Sequence, residues 1–401
     1  MFILDDAPPN FRVEPRPSFA ARAKALAGQR TRILYFYDLP DNSTFRYRVH
    51  NMIQVLRASM PDVAASWFCR EDLDRMDEVL PGIAVLVLCR VRYSAAIAQM
   101  VVRARAQGTR VFFDVDDFVF DARHTNLIVE TLAQPHTEEI WDHWFGYIGR
   151  IGGTLRLCDA VIVTNDYLAA RVRDFCDLPC AVIPNFLNDE QLAVSAPIRD
   201  DKARSGFSRD KTIHIGYFSG SPTHLRDFAI AEAAIDRIMT EDSRIRLRLV
   251  GYIAPGSRLS KYADRIEFFP MQDYRALQHL IATTEINMVP LQDNLFTNAK
   301  SELKVFEAAA VATISVASRS FTLSRAIEHG ASGFLAQPHE WESALRDAVA
   351  TLDSGAYATM ADRAAQLALD RFSPSQQATA VREALFPDGH AIHAPSMPPV
   401  P

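Results

Sequence analysis

Ile213-His-Ile-Gly-Tyr-Phe-Ser-Gly-Ser-Pro-Thr-His-Leu-Arg-Asp227 holds, in order, a strand-length apolar run, a turn bearing glycine and serine, and the start of a helix. A strand run followed by a stretch with apolar residues three and four apart is the repeating unit of a parallel sheet covered by helices. The turn comes right after a strand, which is where open α/β sheets bind ligands. Gly220 permits a tight turn, Ser221 and Thr223 can offer hydroxyl and N–H groups to an anion, and Arg226 can add a charge-assisted bond. The bland alternative is a strand–helix turn capped by Ser221 or Thr223.

The same alternation extends in both directions. Upstream, residues 32–37, 63–68, 83–89, 110–114, 160–164 and 181–184 read as strands, with helical stretches at 47–60, 93–107 and 167–176. Downstream, strands are expected at 213–218, 246–250, 266–268, 286–289 and 313–316, with a helix near 226–240. Residues 188–211 carry no apolar periodicity and read as a linker. The expected fold class is therefore α/β, with two facing Rossmann-like doubly wound domains enclosing a cleft. Residues 1–190 would form the N-terminal domain and 191–373 the C-terminal one; the proline-bearing tail 387–401 is expected to be disordered.

Bulk properties agree with that reading. A chain of 401 residues suits two domains of about 150–200 residues each. Its 48% apolar and 23% charged residues are those of a globular protein. A net charge of −6 argues against a general nucleic-acid binder. Cys69, Cys89, Cys158, Cys176 and Cys180 show neither disulfide-framework nor zinc spacing and read as ordinary thiols of a reducing compartment. Without a signal-like start or ~18 consecutive apolar residues, the expectation is a cytoplasmic protein.

Three further segments carry chemistry. In Asn298-Ala-Lys-Ser-Glu-Leu-Lys-Val-Phe-Glu307, a helix capped by Thr297 or Asn298 would put Lys300, Lys304 and Glu307 on one side. Two lysines four apart repel, and an anion near a helix N-terminus would relieve that repulsion. The alternative is a solvated face whose Lys304–Glu307 pair is worth under ~1 kcal/mol. Phe112-Phe-Asp-Val-Asp-Asp-Phe-Val-Phe-Asp121 packs Asp114, Asp116 and Asp117 at a strand's end, a cluster that needs a cation or hydroxyl-bearing ligand to offset its repulsion. A metal-binding Asp-x-Asp, a phosphatase nucleophile at Asp114, hydroxyl-holding carboxylates at Asp116 or Asp117, and plain turn capping all remain open there. In Leu39-Pro-Asp-Asn-Ser-Thr-Phe-Arg-Tyr-Arg48, Arg46 and Arg48 place cations at a helix start, which calls for a nearby anion. His50 and His124 lie close to these loops as single histidines.

Together these segments resemble the group 1 glycosyltransferases (glycosyltransferase family 4, GT-B fold). The carriers, across residues 31–386, are Phe45-Arg-Tyr-Arg-Val49, Phe113-Asp-Val-Asp-Asp117, Cys158-Asp-Ala-Val-Ile-Val-Thr164, Val182-Ile-Pro-Asn185, Gly216–Asp227, Lys300–Glu307 and Gly330-Ala-Ser-Gly-Phe-Leu335. The resemblance implies transfer of a hexosyl or deoxyhexosyl group from a UDP-, GDP- or dTDP-sugar, with retention and no obligatory metal or cofactor. The acceptor would be a glycan or lipid-linked sugar of surface-polysaccharide assembly, reached through at most a peripheral patch on the inner face of the membrane.

By the same resemblance Glu307 would bind the donor ribose. The turn Ser219, Gly220 and Ser221, with Lys300, Ser301 and Lys304, would hold the diphosphate, Phe269–Met271 would lie near the base, and His224 and Arg226 would also be donor-binding. The family's earlier glutamate is replaced by Ala299, so its sugar contact would pass to a neighbour such as Asn298. Asp116 and Asp117 would serve catalysis beside Lys304, while Arg46, Arg48 and His124 would face the acceptor. A helix at 374–386 would return to the N-terminal domain. Two other readings are a haloacid-dehalogenase-like phosphatase using Asp114 and a non-catalytic nucleotide-sugar-binding subunit.

Overall fold

The structure, a computed structural model, describes residues 1–4, 16–40, 43–220, 225–253 and 256–387. Two compact units share the chain. One comprises Val13–Leu127, His136–Phe186 and the segment that starts at Pro374; the other comprises the N-terminal residues, Ile128–Pro135 and Leu187–Ser373.

In the first unit β1 (Thr31–Tyr37), β2 (Val63–Cys69), β3 (Val85–Cys89), β4 (Arg110–Val115), β5 (Ala160–Val163) and β6 (Cys180–Val182) form a parallel sheet in the order β2-β1-β3-β4-β5-β6. Helices screen both faces, so β3 is buried at every position and its sequence Val-Leu-Val-Leu-Cys is apolar throughout. Tyr37, Cys69 and Cys89 end their strands in register, with Asp114 of β4 paired to Cys89 one residue before its strand ends, which sets the following loops side by side. Short polar residues open the helices: the Ser94 hydroxyl accepts the Ile97 N–H at 3.3 Å, and Asn165 Oδ1 accepts that of Leu168 at 2.9 Å. The helix Pro374–Leu385 packs on the helix Asn51–Ser59 of this unit.

In the second unit β7 (Ile213–Ser219), β8 (Ile245–Gly251), β9 (Ile266–Phe269), β10 (Ile286–Val289), β11 (Ile314–Ser318) and β12 (Gly333–Ala336) are ordered β12-β11-β10-β7-β8-β9, again all parallel. Its core joins Ile215, Tyr217 and Leu247 of the sheet to Phe228 and Ile235 of one covering helix and Trp341 and Leu345 of another. Phe2 is inserted among these side chains, against Phe207 and Tyr357.

The structure corrects the sequence reading in four places. Residues 188–211 are no linker; most of them form the helix Asp189–Arg204, opened by a reciprocal Asn188–Gln191 capping box. Its periodicity is hidden because its buried positions include Gln191, Ser195 and Lys202. Lys202 Nζ donates to the carbonyls of Val311 and Ala312 and to Thr313 Oγ1 at 2.7, 3.2 and 3.0 Å. Strand β12 was not expected, since Gly333-Phe-Leu-Ala336 is too short and glycine-led to stand out. Residues 298–307 do not form one helix: Leu295–Asn298, capped by Asn294, ends at Ala299, and Leu303–Ala310 begins after Glu302. Finally, the N-terminal residues and Ile128–Pro135 belong to the second unit rather than the first. The tail beyond residue 387 lies outside the described residues.

Candidate functional site

In each sheet the strand order reverses once, between β1 and β3 in the first and between β7 and β10 in the second. At such a point neighbouring loops diverge and leave a crevice at the carboxyl ends of the strands.

In the second unit the loops after β7, β8 and β9 converge. Gly251 ends β8 with φ +93°, and a Cβ there would collide with the Ser219 carbonyl oxygen, so only glycine permits this approach. Met271 Sδ lies on the same side, 3.9 Å from that Cβ position. Ser219 is buried and Gly220 exposed; Ser221 and His224 lie outside the described residues. Across the reversal point, the break after Ala299 leaves Lys300, Ser301 and Glu302 as a short loop in front of the helix Leu303–Ala310, whose first N–H groups have no intrahelical acceptor. Lys304 and Glu307 rise from this helix and Lys300 from the loop, so the structure brings these three together without the single helix expected.

Lys304 Nζ sits 4.9 Å from the centre of the Tyr217 ring and makes no hydrogen bond or ion pair with any described residue. Burial pushes its ammonium down to about 8; Asp227 and Glu307 pull it upward and Lys300 presses it further down. Asp227 itself is committed, accepting from the backbone N–H and the Nε2 of Gln292, both at 3.1 Å. Glu307 is only 5% exposed, and its Oε1 accepts from Gln191 Nε2 at 3.2 Å. Burial also lifts the Glu302 carboxyl to about 7, against a weaker opposing pull from its own backbone N–H and from Arg371. Its Oε2 is buried without a hydrogen-bond partner among the described residues.

Two expected donor residues are occupied otherwise. Asn298 Nδ2 donates to Asp293 Oδ1 at 2.8 Å and to the Asn294 carbonyl at 3.0 Å, while its Oδ1 accepts the Phe321 N–H at 2.7 Å. Its amide braces the loop and leaves little to take over a sugar contact, and Ala299 beside it is fully buried. The Arg226 guanidinium donates to the Glu130 carbonyl, in the segment Ile128–Pro135 that also receives Gln292 Nε2 on the Thr131 carbonyl at 3.0 Å.

In the first unit the acidic cluster divides. Asp114 is fully buried, with its two carboxylate oxygens 2.8 and 2.9 Å from Arg48 Nε and Nη2. Arg48 is equally buried and reaches the Ile183 carbonyl at 2.8 Å. Arg48 is therefore no acceptor contact, because its charge is met by Asp114 inside the unit. Burial raises the Asp114 carboxyl, Arg48 opposing. A group so enclosed cannot act as a nucleophile, which removes the phosphatase reading. Arg46 is buried too, with its guanidinium 4.4 Å from the Tyr47 ring centre. His124 lies half-exposed in a short turn, its ring 5.0 Å from that of Phe118.

Asp116 and Asp117 stay partly open and gather around a residue that sequence reading passed over. Arg90 follows β3, and its Nη1 lies 3.1 Å from Asp116 Oδ1, 3.6 Å from Asp117 Oδ2 and 3.2 Å from Thr44 Oγ1. The Thr44 hydroxyl donates to Asp116 Oδ2 at 2.8 Å. Arg90 holds φ +48°, a left-handed conformation that costs on the order of 1 kcal/mol or more for a side-chain-bearing residue and is found at functional sites. Burial works against its guanidinium charge, yet Tyr147, Asp116, Asp117 and Tyr37 hold it well above the ordinary arginine value. An arginine after a strand has no spacing signal, so nothing in the sequence marked it. Among the described residues no group of three or more His, Cys, Asp or Glu side chains is arranged to hold a metal ion.

Residues 214–354 match the family of group 1 glycosyl transferases. No curated protein matches the chain in sequence. Among solved structures, HepE from Anabaena, in complex with UDP and glucose, superposes with a TM-score of 0.60 at 14% identity, covering 88% of this chain and 99% of its own. The sucrose-phosphate synthase from Thermosynechococcus elongatus gives 0.57 at 16% identity, covering 88% and 98%. A glycosyltransferase from Rickettsia africae gives 0.57 at 11%, covering 89% and 98%. At these identities the superpositions establish the fold, which is GT-B.

Proposed function

We propose, from the match of residues 214–354 to the family of group 1 glycosyl transferases and from the GT-B fold, that this enzyme moves a hexosyl or deoxyhexosyl group from a nucleoside-diphosphate sugar to a glycan or lipid-linked acceptor, with retention of configuration. The observation that carries the donor side is Lys304, an ammonium against Tyr217 without a described acceptor, at the strand-order reversal between β7 and β10. A diphosphate would supply that acceptor. As the sugar leaves, charge builds on the diphosphate, and a cation already in place stabilises it without reorganisation. Lys300, Ser301 and the first N–H groups of the helix Leu303–Ala310 would share the load. Glu307, oriented by Gln191, would take the ribose hydroxyls, and the Ser219–Gly220 turn and Met271 would border the diphosphate and base.

Asp116 and Asp117 would hold the acceptor hydroxyl in position for attack, with Arg90 tempering their charge and Arg46 and His124 on the same unit. The reaction then asks nothing of a metal that these side chains do not provide. UDP and UDP-glucose in the HepE structures make UDP-sugars the first donors to test. A role in polysaccharide assembly and a peripheral place at the inner membrane surface fit a lipid-linked acceptor; no described helix is long and apolar enough to cross a membrane.

The test is calorimetric titration with UDP-, GDP- and dTDP-glucose. At least one should bind to the wild type, and Lys304→Ala and Glu307→Ala should each weaken it roughly tenfold or more, the loss of one charge-assisted bond. Unchanged affinity in both variants would remove this donor site.

A further inference from the structure

The helix Glu138–Leu155 was not anticipated from sequence, and its first half carries a cluster of partly exposed aromatic side chains. Trp141, Trp144 and Tyr147 are half-exposed and Phe145 is 46% exposed. The buried side of the helix begins only at Ile148. A water-soluble helix leaves large rings on its open face at a cost, and clusters of them mark contact surfaces.

These rings are tied to the acidic cluster. Arg90 Nη2 donates to the Tyr147 hydroxyl at 3.1 Å, while its Nη1 serves Asp116, Asp117 and Thr44. The Trp144 ring stands edge-on to Tyr147 at 5.8 Å, and the His143 ring stacks over Tyr147 at 6.1 Å, tilted by 11°. Arg90 thus spends backbone strain to fix an aromatic wall on one side and two partly open carboxylates on the other.

We propose that this wall and the Asp116–Asp117 pair form a saccharide subsite, in which Trp144 covers the C–H face of a sugar ring and Asp117 accepts its hydroxyls. It rests on the glycosyl-transfer reading in that the bound sugar is the acceptor's. A pyranose matches both halves: one face is apolar, and its edge is lined with donors. Few precisely placed polar groups beside aromatic rings are the usual make-up of a small-ligand site. A lipid surface matches less well, because Glu138, Glu139 and Asp142 lie among the same rings and repel anionic headgroups.

The experiment is saturation-transfer NMR on the full chain with the methyl glycosides of glucose, galactose, mannose, rhamnose and N-acetylglucosamine. At least one glycoside should receive saturation, strongest on the protons of one ring face. Trp144→Ala should abolish the transfer and Trp144→Phe restore much of it, with the thermal midpoint of both variants near wild type. UDP binding is titrated in the same samples and should be equal in all three proteins. Silence from every glycoside with wild type, or equal transfer to Trp144→Ala, overturns the subsite. So does binding to phosphatidylglycerol vesicles that Trp144→Ala abolishes, since the face would then belong to a membrane. Glycoside binding without UDP binding would instead remove the donor reading and leave the subsite standing.

Discussion

At Lys304, burial and ligand binding pull in opposite directions. Its ammonium is pushed down to about 8 by burial, against an opposing pull from Asp227 and Glu307, and a bound diphosphate would restore what burial removes. The free enzyme loses this cation as pH rises through about 8, so kcat/KM should fall on that alkaline limb. Lys304→Arg, whose guanidinium stays charged, should flatten it; a limb that persists unchanged in this variant assigns the titration to another group. Glu302 works with the opposite sign. Its folded carboxyl titrates near 7, above the unfolded value of 4.5, so the native state binds more protons between them and stability falls as pH rises through that window. Glu302→Gln should therefore raise the thermal midpoint more at pH 8 than at pH 5, and an equal change at both would contradict the burial argument. Lys300, Lys304 and Glu307 stood out from their spacing as one side of a single helix, although Lys300 lies in the loop before it. Glu302 did not, because its importance comes from being enclosed, which a one-dimensional pattern does not record.

Elements explain why some residues changed roles. Arg48 read as a cation exposed at a helix start, yet the register of β3 and β4 brings Asp114 beneath it, and the two neutralise each other out of water. Taking one partner from such a pair strands the other: Arg48→Met should cost about 3–5 kcal/mol in urea unfolding, whereas Arg48→Met with Asp114→Leu should recover part of that loss. A single variant as stable as wild type would mean that the pair is solvated after all. Continuous apolar runs made most strands readable, since both faces of each sheet are covered. The helix Asp189–Arg204 escaped notice for the converse reason: its inward positions include polar residues, with Lys202 donating to the carbonyls of Val311 and Ala312 and Gln191 to Glu307. The helix Glu138–Leu155 escaped because its apolar residues face outward as well as inward, which blurs the periodicity.

For the whole molecule, donor binding should register as stability. A ligand at a hundred times its Kd adds about 2.7 kcal/mol, which for a unit of this size is a shift of roughly 5–10 °C. In scanning calorimetry with a UDP-sugar, the transition of the unit containing Leu187–Ser373 should move by that order; a shift with GDP- or dTDP-sugar alone would redirect the base assignment. The doubly wound α/β plan was readable because every strand–helix alternation repeats it, but which segments belong to which unit was not, since that depends on long-range packing. The helix Pro374–Leu385 completes the first unit by packing on Asn51–Ser59, although Leu187–Ser373 intervenes. During synthesis, at about 5–20 residues per second, the ribosome needs on the order of ten to forty seconds to make that insert. For that interval the nascent first sheet waits with the face of Asn51–Ser59 uncovered, and the enzyme's yield in a cell will depend on what shields it until translation ends.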